Sequence, residues 1–495
     1  MKDRLKKTGA WLFALFLVFM MTELPCEAAG NEQRYSYYYD EYQHAMPAPD
    51  PYRVSFQIDM AELGGGQLRT AGGMYVQGDR LYLCDTGNDR ILELRLEAAG
   101  GALVREIGEA FSLSGPKDVF VGKDGSMYIA DTGNNRILCL DEDGKLIRSI
   151  EKPETETYDA SVEFRPEKLV VTWGNRLYVQ AAGVNKGLLV FDENGVFEGY
   201  MGASSVRFDF SDYIWKRIST RAQRAQMESF VPTEYNNVAL DAEGFVYVTT
   251  SVFSEKDLVS GDAEPIRRLN LKGDNILIEN GSEPVVGDLN WDKSGPSRFV
   301  DVTVLDSDIY VAADITRNRL FAYDKQGNLL FVFGGYGTRQ GYFQTIKALE
   351  HWGEKLLVLD ETTGLVTVLE PTEYGGHILH AIAHYDKGLY EEAFADWEEA
   401  LRCNGTYRLA YDGMGKIFLR EGNYKKALDY LEYAGDAYYY SKAFSFYRKD
   451  WMERNLIYFV AAVLLLFGVL TVGKIIRREK GALKEYEREK QLWNR

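Results

Sequence analysis

Asp85-Thr86-Gly87-Asn88-Asp89-Arg90-Ile91 returns as Asp131-Thr132-Gly133-Asn134-Asn135-Arg136-Ile137. A strand-like run precedes each copy, Leu81-Tyr82-Leu83 and Met127-Tyr128-Ile129. After the second copy come Leu138-Cys139-Leu140, the turn Asp141-Glu142-Asp143-Gly144, and another apolar run. Strand, Gly/Asn turn, strand, Asp/Gly turn is a four-stranded antiparallel meander. One such unit has two open edges and cannot bury its own faces, so a tandem copy argues for an array.

Weaker copies follow at similar intervals. Leu177-Tyr178-Val179 leads to Leu188-Leu189-Val190-Phe191-Asp192, and Phe245-Val246-Tyr247-Val248 to Ile266-Arg267-Arg268-Leu269. Tyr310-Val311 leads to Asp314 and Asn318-Arg319-Leu320-Phe321, and Leu356-Leu357-Val358-Leu359-Asp360 to Leu365-Val366-Thr367-Val368. Alternating hydrophobics ending in D-T-G-N-N-R-I resemble NHL repeats. The resemblance implies a mainly β fold, a six-bladed β-propeller over residues 52–370. The last copy lacks an outer strand after Val368, and the orphan run Tyr52–Ile58 would supply it and close the ring.

A second repeat lies beyond. Gly388-Leu389-Tyr390-Glu391-Glu392-Ala393 recurs as Gly422-Asn423-Tyr424-Lys425-Lys426-Ala427, 34 residues on, and Trp397 and Ala400 map to Leu431 and Ala434. Residues 376–450 therefore resemble tetratricopeptide repeats, which implies a small helical domain able to contact a partner protein. Both ends carry membrane signals. Residues 1–29 read as a signal peptide: Lys2, Arg4, Lys6 and Lys7, an apolar run from Gly9 to Met21, then small residues. Residues 30–51, with Tyr35 to Tyr42 and several prolines, read as a polar linker. Residues 455–473 read as a transmembrane helix, because Leu456 to Gly473 holds no charge and is long enough to cross the hydrocarbon core. The tail, residues 474–495, has eight Lys or Arg against four Glu, which places it in the cytoplasm and the rest of the chain outside. The expected location is the plasma membrane, single-pass.

The net charge of −17 argues against nucleic acid. Four cysteines at wide spacing make neither a disulfide framework nor a zinc pattern, and Cys84 and Cys139 read as buried strand thiols.

Two regions of a propeller would carry a ligand. The long segments Ala203–Val231, Ser251–Glu264 and Glu279–Ser297 belong to one face, and the first holds Phe208, Phe210, Tyr213, Trp215, Lys216 and Arg217. The other region is the axis. Thirteen residues before each motif aspartate, or its equivalent, lie Gly72, Asp118, Lys168, Asn237, Asp301 and Lys347, expected to ring the channel mouth. Resemblance to gluconolactonase-like propeller enzymes implies a divalent cation there. Asp118, Asn237 and Asp301 are weak candidates for calcium, while Lys168 and Lys347 would repel it, so the set reads as a self-neutralising polar ring. Lyase relatives of the NHL fold use histidine-bound zinc, but His351 falls in an expected turn. His377, His380 and His384 share a helix face that reads as packing. Asp85/Arg90, Asp131/Arg136 and Asp314/Arg319 read as braces of their own hairpins, with Gly87, Asn88, Gly133 and Asn134 permitting left-handed turns.

No nucleophile–base pair, phosphate loop or metal cluster emerges. The leading expectation is a membrane-anchored extracytoplasmic binding or scaffold protein and no cofactor, its loop-rich face presented to a protein, peptide or glycan. The alternative is a calcium-dependent lactonase-like hydrolase. A sensor passing a signal through the single helix is a third reading, set against a short tail.

Overall fold

The computed structural model describes residues 36–202 apart from 41, 159 and 160, and residues 235–493 apart from 252, 254–256, 259–262, 282–283, 290–293 and 306. These residues form two compact units, one reaching Gly388 and including Arg402–Asn404, the other holding Leu389–Leu401 and the chain from Gly405. The signal-peptide reading of residues 1–29 lies outside the described residues.

The first unit is a six-bladed β-propeller. The innermost strands of blades one to six are Met74–Gln77, Pro116–Val121, Pro166–Val171, Asn237–Leu240, Phe299–Val304 and Ile346–Trp352. Second and third strands are mostly buried on both faces, through runs of Leu, Ile, Val and aromatics that pack each blade between two others, with Arg267 and Arg268 of blade four among the partly exposed exceptions. Closure is as expected: Tyr52–Asp59 pairs antiparallel with Leu365–Pro371, and Tyr52 stacks on Phe333 at 5.1 Å.

The repeated motif works through side-chain bonds. Asp85 accepts from the Arg69 N–H, Asn88 Nδ2 and Arg90 Nε, each at 2.8 Å. Asp131 repeats the set with Ser114 N, Asn134 and Arg136. Thr86 Oγ1 donates to the Pro116 carbonyl of the next blade at 2.7 Å, so one motif braces its hairpin and links to its neighbour. Two expectations change. The left-handed residues of the two motif turns are Asp89 and Asn135, at φ 53° and 55°, each next after the expected Gly-Asn pair, and Asn318 at φ 52° takes the same place in blade five. Gly87 is demanded by close approach, since a Cβ there would lie 2.6 Å from the Arg69 carbonyl oxygen. In blade five, Arg319 faces a different carboxylate from the expected one, with Nη1 2.9 Å from Asp288 Oδ2.

That carboxylate explains the stretch expected to be a linker. Tyr37–Tyr39 and Ala45–Pro47 form a hairpin that adds to the outer edge of blade five, Tyr37 opposite Val332. Tyr37 and Tyr39 each donate to Asp288 Oδ1 at 2.6 Å, and Tyr37 is wholly buried. Burial, then the nearby Asp288 charge, raises both phenol pKa values.

Helix α1 (Glu373–Asp386) ends the first unit. Thr372 caps it, accepting from the Gly375 N–H at 3.2 Å and donating to the Asp50 carbonyl at 2.7 Å. His380 Nε2 lies 3.1 Å from Glu354 Oε1. The boundary between the units thus follows Gly388, whereas a helical domain from residue 376 was expected.

The second unit holds α2 (Tyr390–Cys403) except its last two residues, and α3 (Arg408–Arg420), α4 (Tyr424–Ala434) and α5 (Ala437–Trp493). Phe418, Ala427, Leu431 and Ala443 form its core, with Phe394 against Phe418. Gly415 lets α3 and α4 close, because a Cβ there would sit 2.7 Å from Leu431 Cγ. Helix α5 is unbroken for 57 residues and passes through the Leu456–Gly473 run, whose large apolar side chains are exposed. By length and composition it can cross a membrane.

Candidate functional site

An innermost strand shows one backbone edge to the axis, and its N–H groups need partners there. Six side-chain positions supply a layer across the channel: Gly73, Asp118, Lys168, Asn237, Asp301 and Ala348. Asp118 pairs with Ala130, Lys168 with Gln180, Asn237 with Thr249, Asp301 with Ala313 and Ala348 with Leu359, always one residue before the motif position. Four expected members are therefore present.

Gly72 and Lys347 are not members, and the reason is turn length. In blades one and six the first hairpin turns on two residues, Gln77 pairing with Arg80 and Trp352 with Lys355. In blade two Val121 pairs with Met127, leaving a five-residue turn. The ladder is one pair longer in blades one and six, so three fewer turn residues and two more strand residues leave a count of twelve from motif aspartate to axis. Lys347 is the bulged residue of its strand, its Nζ 3.7 Å from Glu361 Oε1 at the opposite mouth.

The layer cross-links blades. Asp118 Oδ2 accepts from the Leu169 N–H at 3.0 Å, and Oδ1 faces Lys168 Nζ at 3.4 Å. Asp301 Oδ2 accepts from the Leu349 N–H and Oδ1 from the Val302 N–H, both at 2.8 Å, while Asn237 Nδ2 also donates to Oδ1. Gly73 leaves the notch this pair needs, since a Cβ there would fall 2.2 Å from Asp118 Oδ1 and 3.0 Å from Lys168 Nζ.

Lys168 lines cavities on both sides of this layer. The smaller, about 240 Å³, opens among the blade connections near Lys117, Asn236 and Lys347. The larger, about 590 Å³, opens among the inner hairpin turns, with Lys123, Trp173 and Asp241 near its rim. Strand alternation places the next axial layer two residues on: Tyr75, Phe120, Val170, Ala239, Thr303 and Glu350. Sequence counting missed Glu350, because the count in blade six was one residue too long. His351 also differs from expectation. It lies in the innermost strand opposite Leu356, not in a turn, with Nδ1 2.7 Å from Thr303 Oγ1.

Without Lys347, this layer holds one ammonium, Lys168, against the carboxyl groups of Asp118 and Asp301, and Glu350 adds a third carboxyl group in the layer beyond. Burial pushes Asp118 up to about 6, against the pull of Lys168. Burial also raises Asp301, and burial together with Asp301 raises Glu350. Burial opposes the Lys168 charge, but Asp118 and Asp301 outweigh it and hold its pKa above the usual value.

Calcium fits this layer poorly. It takes six to eight oxygen ligands, whereas Asp118 and Asp301 are committed to N–H donors and an ammonium stands among them. Among the described residues no three His, Cys, Asp or Glu side chains are grouped to hold a metal. Phe208, Phe210, Tyr213, Trp215, Lys216 and Arg217, expected on the loop-rich face, lie outside the described residues.

No protein-family model and no curated protein matches the chain. Solved structures similar to it include a virginiamycin B lyase from Staphylococcus aureus, at 12% identity over 61% of this chain and 80% of the lyase, TM-score 0.37. A structural-genomics protein provisionally described as a gluconolactonase matches at 12% identity over 68% of this chain and 97% of that one, TM-score 0.39. A Bacteroides uniformis protein provisionally described as a 6-phosphogluconolactonase matches at 13% over 68% and 88%, TM-score 0.36.

Proposed function

We propose that this chain is a membrane-anchored binding protein whose propeller and tetratricopeptide-like helices stand outside the cell, with NHL-type blades presenting a site to a ligand. The observation that carries the reading is helix α5. Leu464, Leu465, Leu466 and Phe467, successive residues about 100° apart and so spread around its circumference, are each more than half exposed, an arrangement that water penalises and lipid satisfies. Lys474, Arg477, Arg478 and Lys480 follow directly and favour a cytoplasmic tail. The axial carboxylates favour binding over hydrolysis, because Asp118 and Asp301 already serve as links between blades. The partner is a protein, peptide or glycan at the cell surface, and the helical repeats offer a second contact.

Topology mapping tests this. Single cysteines at Ser55 and Lys484, in a Cys403→Ser background, are treated in intact cells with a membrane-impermeant maleimide. Labelling at position 55 and protection at 484 is expected, and the reverse overturns the reading. Calcium-dependent thermal stabilisation, lost on Asp118→Ala or Asp301→Ala, would replace it with the lactonase-like alternative.

A further inference from the structure

The larger axial cavity is divided in its chemistry. Blades one to four line its second layer with Tyr75, Phe120, Val170 and Ala239, and the Tyr75 and Phe120 rings lie 4.7 Å apart. Blades five and six contribute Thr303 and Glu350. One side is therefore apolar and the other acidic. At the floor, Asp118 and Asp301 have both oxygens engaged. Glu350 has one weak hydrogen bond, its Oε2 accepting from the His351 N–H at 3.4 Å, with His351 Nδ1 4.0 Å from the same oxygen, and its side chain is 20% exposed. A carboxylate so enclosed and so little compensated favours a cation beside it. At the rim, Lys123 Nζ lies 4.4 Å from the centre of the Trp173 ring, which is 65% exposed.

We propose that this cavity binds the charged end of an alkyl amine, with its ammonium on Glu350 and Thr303 and its methylenes along Tyr75, Phe120 and Val170. An ammonium needs only three acceptors, which one carboxylate and one hydroxyl nearly supply, whereas calcium needs twice that number. The volume suits a small ligand or one inserted side chain. Burial raises the Glu350 carboxyl above its usual range in the empty cavity, and a cation beside it would pull it back down. The same ammonium chemistry comes from a free polyamine or from a lysine side chain of a peptide. The inference rests on the reading of the propeller as a binding module.

Calorimetric titration of the full-length chain in detergent at pH 7.5 tests it with spermidine, Nα-acetyl-lysine amide and the uncharged Nα-acetyl-norleucine amide. At least one amine should bind and the norleucine compound should not. Spermidine alone would assign a free polyamine, lysine amide alone a peptide, and both together the ammonium itself. Glu350→Gln should weaken binding about tenfold or more, the worth of a charge-assisted hydrogen bond. Equal binding of the norleucine compound, no binding of either amine, or unchanged affinity in Glu350→Gln would overturn the proposal. None of these outcomes bears on topology, which the cysteine mapping decides separately.

Discussion

Asp118→Asn should change how the propeller's stability depends on pH. Asp118 is 6% exposed and its pKa is raised from 3.8 to about 6. A carboxyl group raised on folding binds its proton more tightly in the native state. Its contribution is complete below the unfolded pKa and is lost as pH rises through the folded one. The full difference is about 3 kcal/mol, of which about 2 kcal/mol lies between pH 4.5 and 7.5. Asn cannot ionise, yet its carbonyl oxygen can still accept from the Leu169 N–H. The substitution removes a partner of Lys168 at every pH in this range, so it shifts the whole curve as well as its slope. Asp301 and Glu350 act in the same direction as Asp118, and the comparison with Asn isolates the one residue. Stability is best followed by pulse labelling of Cys84 with a methanethiosulfonate in urea, resolved by mass spectrometry. Cys84 is fully buried in blade one, so it reports the propeller rather than the helical unit. From pH 4.5 to 7.5 the wild-type midpoint should fall relative to the variant by about 0.7 M, for a slope of about 3 kcal/mol per M. Parallel curves for the two proteins would show that Asp118 is ionised throughout and that the axial layer is wetter than described.

Gly73→Ala should cost about 1–3 kcal/mol by urea unfolding, since its Cβ must displace Asp118 Oδ1 and meets the Lys117 carbonyl at 3.0 Å. Tyr37→Phe should cost about 1.5–3 kcal/mol and make residues 37–47 more sensitive to limited proteolysis, because the lost hydroxyl donates to buried Asp288. An unchanged digestion pattern would place the hairpin's hold elsewhere. In the native chain Cys403 should react with a maleimide while Cys84 and Cys139 stay protected, and equal rates at all three would contradict their burial in the blades.

The sequence by itself determined the propeller. Strand alternation, Asp/Gly turns and the repeated Asp85 and Asp131 motifs are local signals, and the orphan strand at Tyr52 had a single place to pair. The apolar run Leu456–Gly473 was equally plain, because lipid selects for composition and length rather than for partners. Tertiary structure decided what converges on the axis. Strand alternation has a period of two, so one residue fewer between axis and motif aspartate exchanges Lys347 for Ala348 and brings Glu350 into the cavity. Arg319 and Tyr37 reach across 31 and 251 residues of chain to the same carboxylate, Asp288, which no motif marks. A buried charge finds its partner through space, and only the closed ring of blades sets those distances.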